Sequence, residues 1–208
     1  DYLDDGARTA ITMNLGPSES RLIVFGASAT PDGMPLKSVE DPQESPVKLK
    51  NDWSIQFVDG YGAPASIEGE DLKSWTEFDD PGIRYYPGTA RYRNEFHVSP
   101  EMLETEMLSL DLGEVHHIAE VWINGRKVDN LWRSPYRSDI HAYVEAGWNQ
   151  LEIQVVNTWV NRFIGDLRTE GPDYSEMMPG SQIWYEADSP LHKAGLIGPI
   201  RLITTEVF

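Results

Sequence analysis

Short alternating apolar and polar runs, separated by turn residues, constrain the fold of this chain more than any other feature. Residues 53–57 and 90–98 alternate with the two-residue period of a half-buried β-strand. Further apolar runs of strand length occupy residues 106–112, 119–123, 151–155 and 200–208. Residues 161–164 are predicted to continue as a short strand, and residues 100–107 favour a brief helix.

One turn is specified with particular strength. Asn124 and Gly125 lie between two apolar runs, and a two-residue hairpin turn needs positive φ at both central positions. No long stretch of the sequence has the 3.6-residue period of an amphipathic helix. These features predict an all-β protein, an antiparallel β-sandwich of the jelly-roll type.

The N-terminal part predicts a different organisation. Residues 11–25 read as a β-hairpin, and a lone hairpin is marginally stable in water. We therefore interpret residues 1–27 as the last hairpin of a preceding β-domain, in agreement with a sequence that starts without Met. Residues 28–48 contain four prolines and are interpreted as a linker, which leaves residues 49–208 as the jelly-roll domain.

Charge and composition exclude several classes of partner. The 208 residues include 34 acidic and 17 basic side chains, so the formal net charge is −17. A phosphate surface would repel such a chain, and we expect neither nucleic acid nor membrane as a partner. The chain contains no cysteine, which excludes disulfides and thiolate chemistry.

A search for catalytic and metal motifs finds little. The five histidines include no His-Glu-x-x-His pattern, and there is no Gly-x-Ser-x-Gly motif. A glycosidase pair of carboxylates stays open, since 34 acids allow many coincidences. We expect no cofactor, and we leave open a structural calcium bound by Asp79 with Asp80, or by Asp139 with Asn157.

Large aromatic residues in turn-like segments are the most informative chemical feature. Rings in such segments have less reason to be buried, and sugars stack their apolar C–H faces on exposed rings. For each ring, packing at the edge of the core is the alternative. Together they make carbohydrate the expected ligand: Trp75, Tyr85, Tyr86, Trp132, Trp159, Trp184 and Tyr185.

The predicted sugar-binding site consists of Trp159, Arg162, Asp166, Trp184 and Tyr185. These residues lie just before, within and at the end of a long irregular stretch at 165–190, and loops on a rigid sandwich often carry binding residues. Either tryptophan is expected to stack on a pyranose, with the arginine and the aspartate fixing the loop or binding hydroxyls. The alternative is that Trp159 and Arg162 only pin the loop to the sandwich.

Several motifs carry a family resemblance. Residues 111–115, 119–125 with Val-Trp-Ile-Asn-Gly, 131–140 and 146–153 resemble the sugar-binding jelly-roll domain of glycoside hydrolase family 2. Residues 86–93 are similar to an early strand of that galactose-binding-like domain. Residues 156–166 and 195–202 resemble the C-terminal domain of large bacterial α-L-rhamnosidases of glycoside hydrolase family 106.

The resemblance implies where catalysis takes place in such enzymes. Family 106 catalytic acids lie in a separate upstream barrel domain, and no residue of this sequence matches them. The implied role is a non-catalytic accessory or carbohydrate-binding domain of a periplasmic or secreted enzyme that degrades plant or complex polysaccharides. Its partners would be a glycan and the upstream catalytic domain of the same chain. A free-standing lectin-like module and a small glycosidase remain the alternatives.

Overall fold

A computed structural model describes residues 2–4, 9–11, 13, 20, 22–23, 45–49, 52–58, 60–105, 107–168 and 184–205. The helices are α1 (Pro81–Arg84), α2 (Pro100–Leu103) and α3 (Val160–Leu167), with two 3-10 turns at Trp75–Glu77 and His141–Tyr143. The strands are β1 (Tyr2–Asp4), β2 (Thr9–Ile11), β3 (Ser45–Lys48), β4 (Trp53–Phe57), β5 (Ser66–Glu70), β6 (Thr89–Val98), β7 (Met107–Asp111), β8 (Glu114–His116), β9 (Ile118–Ile123), β10 (Arg126–Leu131), β11 (Arg137–Asp139), β12 (Gly147–Val156), β13 (Gly195–Gly198) and β14 (Arg201–Thr205). No helix among the described residues has both the length and the apolar character needed to cross a bilayer.

Two antiparallel sheets form the sandwich. The larger sheet has the order β10-β9-β12-β6-β4-β5, and the smaller has the order β11-β7-β14-β3. Strands β8 and β13 form a separate pair, as do β1 and β2. The predicted all-β sandwich is confirmed.

Alternation along the strands builds the core. In β6, Tyr92 and Phe96 are buried while Glu95 is exposed, so one face of the larger sheet is apolar. The buried side chains of this face join Leu110 and Leu202 of the smaller sheet in one hydrophobic cluster. Each sheet therefore covers the apolar face of the other, as in other two-layer β-proteins.

The Asn-Gly turn joins β9 to β10 as predicted. Asn124 and Gly125 have φ values of 51° and 75°, the left-handed conformation that this hairpin turn requires. The Asn124 side chain also accepts a hydrogen bond from the Gln150 amide at 3.0 Å and donates to Asn149 Oδ1 at 2.8 Å. The turn is thereby tied to β12, the neighbouring strand.

The prediction of a short strand at residues 161–164 is wrong, because these residues belong to α3. Asn161 and Arg162 are adjacent and both buried, which an alternating strand with one solvated face does not allow. Phe163 and Ile164 lie three and four residues after Val160, the spacing of one helix face. A window of four residues was too short to distinguish the two periods. The predicted brief helix at residues 100–107 is present as the shorter α2.

The predicted linker ends in a strand. Residues 45–48, assigned to the linker by their composition, form β3 and pair antiparallel with β14 at the edge of the smaller sheet. The rest of the linker lies outside the described residues, as does most of the predicted hairpin at 11–25. Upstream of that hairpin, β1 and β2 pair with each other. The division into domains stays a prediction.

Candidate functional site

Helix α3 carries two of the five predicted site residues, Arg162 and Asp166, and begins directly after a third, Trp159. Its inner side packs on Tyr85, which is fully buried. A Cβ at Gly165 would lie 2.5 Å from Tyr85 Cγ, so only glycine allows the backbone to come this close to the ring. The helix is therefore seated directly on the sandwich.

Arg162 and Asp166 form an ion pair beneath the helix. Arg162 Nε donates to Asp166 Oδ1 at 2.6 Å, and the two side chains are 0% and 2% exposed. The guanidinium carbon also lies 5.4 Å from the centre of the Tyr85 ring. A sugar on the surface reaches neither charged group, so of the two predicted roles the geometry supports the one that fixes this segment to the sandwich.

Four aromatic rings run across the opposite side of the helix. Tyr61 meets Trp159 edge to face at 5.2 Å, and Trp159 stacks with Phe163 at 6.1 Å. Phe163 in turn stacks with Tyr185 at 6.4 Å between ring centres. We call Tyr61, Trp159, Phe163 and Tyr185 the aromatic row. Phe163 is buried, and the other three rings are half-buried.

Trp184 stands apart from the aromatic row. Its side chain is 82% exposed, and within the described part of the chain its ring contacts no other ring. It nevertheless directly precedes Tyr185, which the row includes. The structure thus brings Trp159 and Tyr185 together through Phe163 and places Trp184 beside them in solvent.

Hydrogen bonds from α3 position the chain segment that carries Tyr185. Asn161 donates to the His192 carbonyl at 2.7 Å and accepts from the His192 amide at 2.8 Å. Arg168 donates to the carbonyls of Ala187 at 2.7 Å and Ser189 at 2.8 Å. The helix therefore packs on the sandwich on one side and is hydrogen-bonded to the segment from 184 to 194 on another.

Sequence reasoning missed four of these residues: Tyr61, Asn161, Phe163 and Arg168. Phe163 lies four residues after Trp159, a spacing that places both rings on one side of a helix. It would have been found had the segment been interpreted as helical. The Asn161 contact spans 31 residues of sequence, and no local pattern signals it.

The other loop aromatics divide into buried and exposed rings. Trp75, Tyr85 and Tyr86 are fully buried, so the expectation that turn-like segments expose their rings is wrong for these three. Trp75 donates to the Tyr92 hydroxyl in the core and meets Tyr86 edge to face at 5.4 Å. A turn signal shows where the backbone reverses, and it does not show to which side a ring points. Trp132 is 65% exposed, as expected.

The oxygen ligands considered for calcium have structural partners. Asp80 Oδ1 caps α1 by accepting from the Gly82 amide at 2.7 Å. Asp139 Oδ1 accepts from the His141 amide at 3.0 Å, and Asn157 donates to the Tyr86 carbonyl at 2.8 Å. Across the described segments, no three His, Asp or Glu side chains gather into a metal-binding group. The structural calcium stays a prediction.

The fold defines this chain as an antiparallel β-sandwich domain, and sequence comparison identifies the family. Residues 27–185 match the family described as glycosyl hydrolases family 2, sugar binding domain. The match covers more than half of the chain. This chain belongs to the family 2 sugar-binding domains, as the motifs predicted.

Similar proteins are much longer than this chain. A Formosa agariphila protein, provisionally named a β-glucuronidase, is 33% identical over 96% of this chain and 18% of its own length. A rhamnosidase from Novosphingobium sp. PP1Y is 33% identical with a TM-score of 0.71, over 97% of this chain and 19% of its own. A Ruminococcus gnavus β-glucuronidase shares the fold, with a TM-score of 0.57 and 19% identity over 78% of this chain and 28% of its own. The chain thus spans less than a fifth of the first two proteins.

Proposed function

We propose that this chain is a non-catalytic carbohydrate-binding accessory domain of a larger, α-L-rhamnosidase-like glycoside hydrolase that degrades plant or complex polysaccharides. The observation that carries the proposal is the aromatic row, which joins Phe163 of α3 to rings of three neighbouring positions. Three half-buried rings, Tyr61, Trp159 and Tyr185, offer apolar surface beside a helix that is seated on the sandwich. Such surfaces bind the C–H faces of pyranose rings.

Preorganisation supports this assignment. The rings contact one another, and the buried pair of Arg162 and Asp166 lies on the helix that carries Phe163 and begins directly after Trp159. A ligand that binds an already ordered surface does not have to order it, which reduces the entropic cost of binding. The row fits the apolar face of a neutral sugar, because the nearby guanidinium is buried beneath the helix.

The accessory role rests on the relatives. Two proteins at 33% identity carry glycosidase names, and this chain corresponds to less than a fifth of each. We infer an upstream catalytic domain as the partner that performs hydrolysis. A periplasmic or secreted location follows from a substrate of polymer size, and stacking requires no cofactor.

Calorimetric titration of the chain with rhamnose-containing oligosaccharides from plant cell walls tests the proposal. Trp159→Ala removes a central ring of the row and is expected to weaken binding by about 1 kcal/mol, roughly fivefold. The matched control is Trp148→Ala on β12, whose ring is 67% exposed and lies against His97 on the outer face of the larger sheet. Binding should be unchanged in this control.

The outcomes separate the alternatives. Equal losses in both tryptophan variants would show that the row is not the binding surface. Binding by this chain that has no effect on a parent hydrolase would favour a free-standing lectin-like module. Hydrolysis by the chain alone would favour a small glycosidase.

A further inference from the structure

A cavity of about 390 Å³ lies where the chain passes from one sheet of the sandwich to the other. Strand β10 is at the edge of the larger sheet and β11 is at the edge of the smaller sheet. Residues 129–133 and the start of β11 line the cavity. Its volume falls within the range of about 300–1,000 Å³ that is typical of small-molecule sites.

The cavity combines a large exposed ring with polar groups. Trp132 is 65% exposed, so the indole presents apolar surface to solvent. The Arg133 guanidinium carbon lies 6.0 Å from the centre of that ring. Asn130 and Asp129 supply further polar side chains to the lining.

The charged side chains around the cavity differ in their partners. Arg137 pairs with Asp111 at 3.3 Å. Asp129 accepts hydrogen bonds from the Ser138 hydroxyl at 2.9 Å and from the Asn130 amide at 2.7 Å. Arg133 differs, because within the described residues its side chain forms no ion pair and its contact is the ring of Trp132.

Within the described residues Arg133 thus has no carboxylate partner, although the chain has twice as many acidic as basic residues. Its planar fork of N–H groups matches a carboxylate in two parallel hydrogen bonds. The neighbouring indole can stack on a pyranose ring that carries such a group. The carboxylate of Asp129 repels the ligand's acid, so the sugar would bind with its acidic end toward Arg133.

We propose that this cavity binds a uronate residue of an acidic glycan, as a second site separate from the aromatic row. The sugar ring stacks on Trp132, its carboxylate pairs with Arg133, and Asn130 hydrogen-bonds a hydroxyl. This inference rests on the proposed carbohydrate-binding function and adds the class of sugar. The two sites then differ in chemistry, with a neutral face bound at α3 and an acid bound here.

The test compares two disaccharides that differ only in their terminal residue, glucuronate or glucose, titrated into the intact chain. The glucuronate ligand is expected to bind about fivefold more tightly, since Arg133 is half-exposed and its ion pair is partly screened. Raising the salt concentration should reduce this preference and leave glucose binding unchanged.

Variants assign the contribution of each residue. Arg133→Gln should abolish the preference for glucuronate, and Trp132→Ala should weaken binding of both ligands at this site. The matched control is Arg126→Gln at the other end of β10, where the arginine lies over Tyr143 and donates to the Ala142 carbonyl. That variant should keep the preference, and melting temperatures verify that each variant is folded.

The results also separate this inference from the proposed function. Neutral binding that depends on Trp159, with no preference for glucuronate, would overturn the cavity assignment and leave the aromatic row intact. A preference that persists in Arg133→Gln would overturn the assignment as well. Tighter binding of a glucose 6-sulfate ligand than of glucuronate would overturn the choice of a carboxylate.

Discussion

Arg162 and Asp166, one helical turn apart on α3, form a 2.6 Å ion pair whose side chains are 0% and 2% exposed. The pair lies between the helix and Tyr85 of the sandwich. The side of α3 that carries these two residues therefore faces the interior of the domain. The packing of α3 on the sandwich therefore includes a buried electrostatic contact.

Arg162→Met should destabilise the chain by about 3–5 kcal/mol, because it leaves the Asp166 carboxylate buried without its cation. The double variant Arg162→Met with Asp166→Leu should lose less stability than Arg162→Met or Asp166→Leu alone, since no buried charge remains. Urea denaturation of the four proteins measures the coupling. If the stability losses of the two single variants simply added in the double variant, Arg162 and Asp166 would not be coupled as a buried ion pair.

Gly165→Ala tests the seating of the helix on Tyr85. Helix propensity alone favours alanine over glycine by about 1 kcal/mol. The added Cβ would lie 2.5 Å from the Tyr85 ring, and overpacking of this kind costs about 1–3 kcal/mol. We expect net destabilisation in thermal melts. An unchanged or higher melting temperature would show that the helix is not packed on this ring.

Trp184→Ala tests a site residue that the structure leaves in solvent. With 82% of the side chain exposed, its removal should leave the melting temperature unchanged. In the larger hydrolase proposed above, stacking of the indole on the substrate predicts a roughly fivefold lower kcat/KM, equal to about 1 kcal/mol of transition-state binding. A loss of stability with unchanged catalysis would make Trp184 a scaffold residue.

Stability should depend on pH through His117. Burial, followed by the nearby charges of His116 and His192, lowers its pKa below the usual 6.5. Because the unfolded chain then binds the proton more readily, the free energy of unfolding should fall as pH decreases through about 6.5 and the folded pKa. Urea denaturation between about pH 7.5 and pH 5 measures the slope. His117→Gln should reduce this slope. An unaltered slope would show that another group causes the pH dependence.

The purified chain should not hydrolyse aryl glycosides or rhamnose-containing oligosaccharides. The reason is that no residue of the sequence matches the catalytic acids of the family that its motifs resemble. A chromogenic assay at high protein concentration provides the measurement. Turnover abolished by substitution of a single carboxylate would refute the prediction.

The sequence by itself determined the fold class and most of the strands. Alternating runs such as β6 and β12 bury every second side chain, and this pattern can be read locally. The turn at Asn124 and Gly125 was equally readable, because few residues accept its positive φ values. Three of the family motifs, residues 86–93, 119–125 and 146–153, overlap these elements.

Only the tertiary structure decided which aromatic rings are available to a ligand. Trp75 and Trp184 both lie in turn-like sequence, yet one is fully buried and the other is 82% exposed. Likewise, Arg162 lies in a segment that the sequence predicted as a strand, yet its side chain is buried on α3 beside Asp166. Burial depends on which distant segment packs against a residue, and contacts such as Asn161 with His192 join positions that no local period relates.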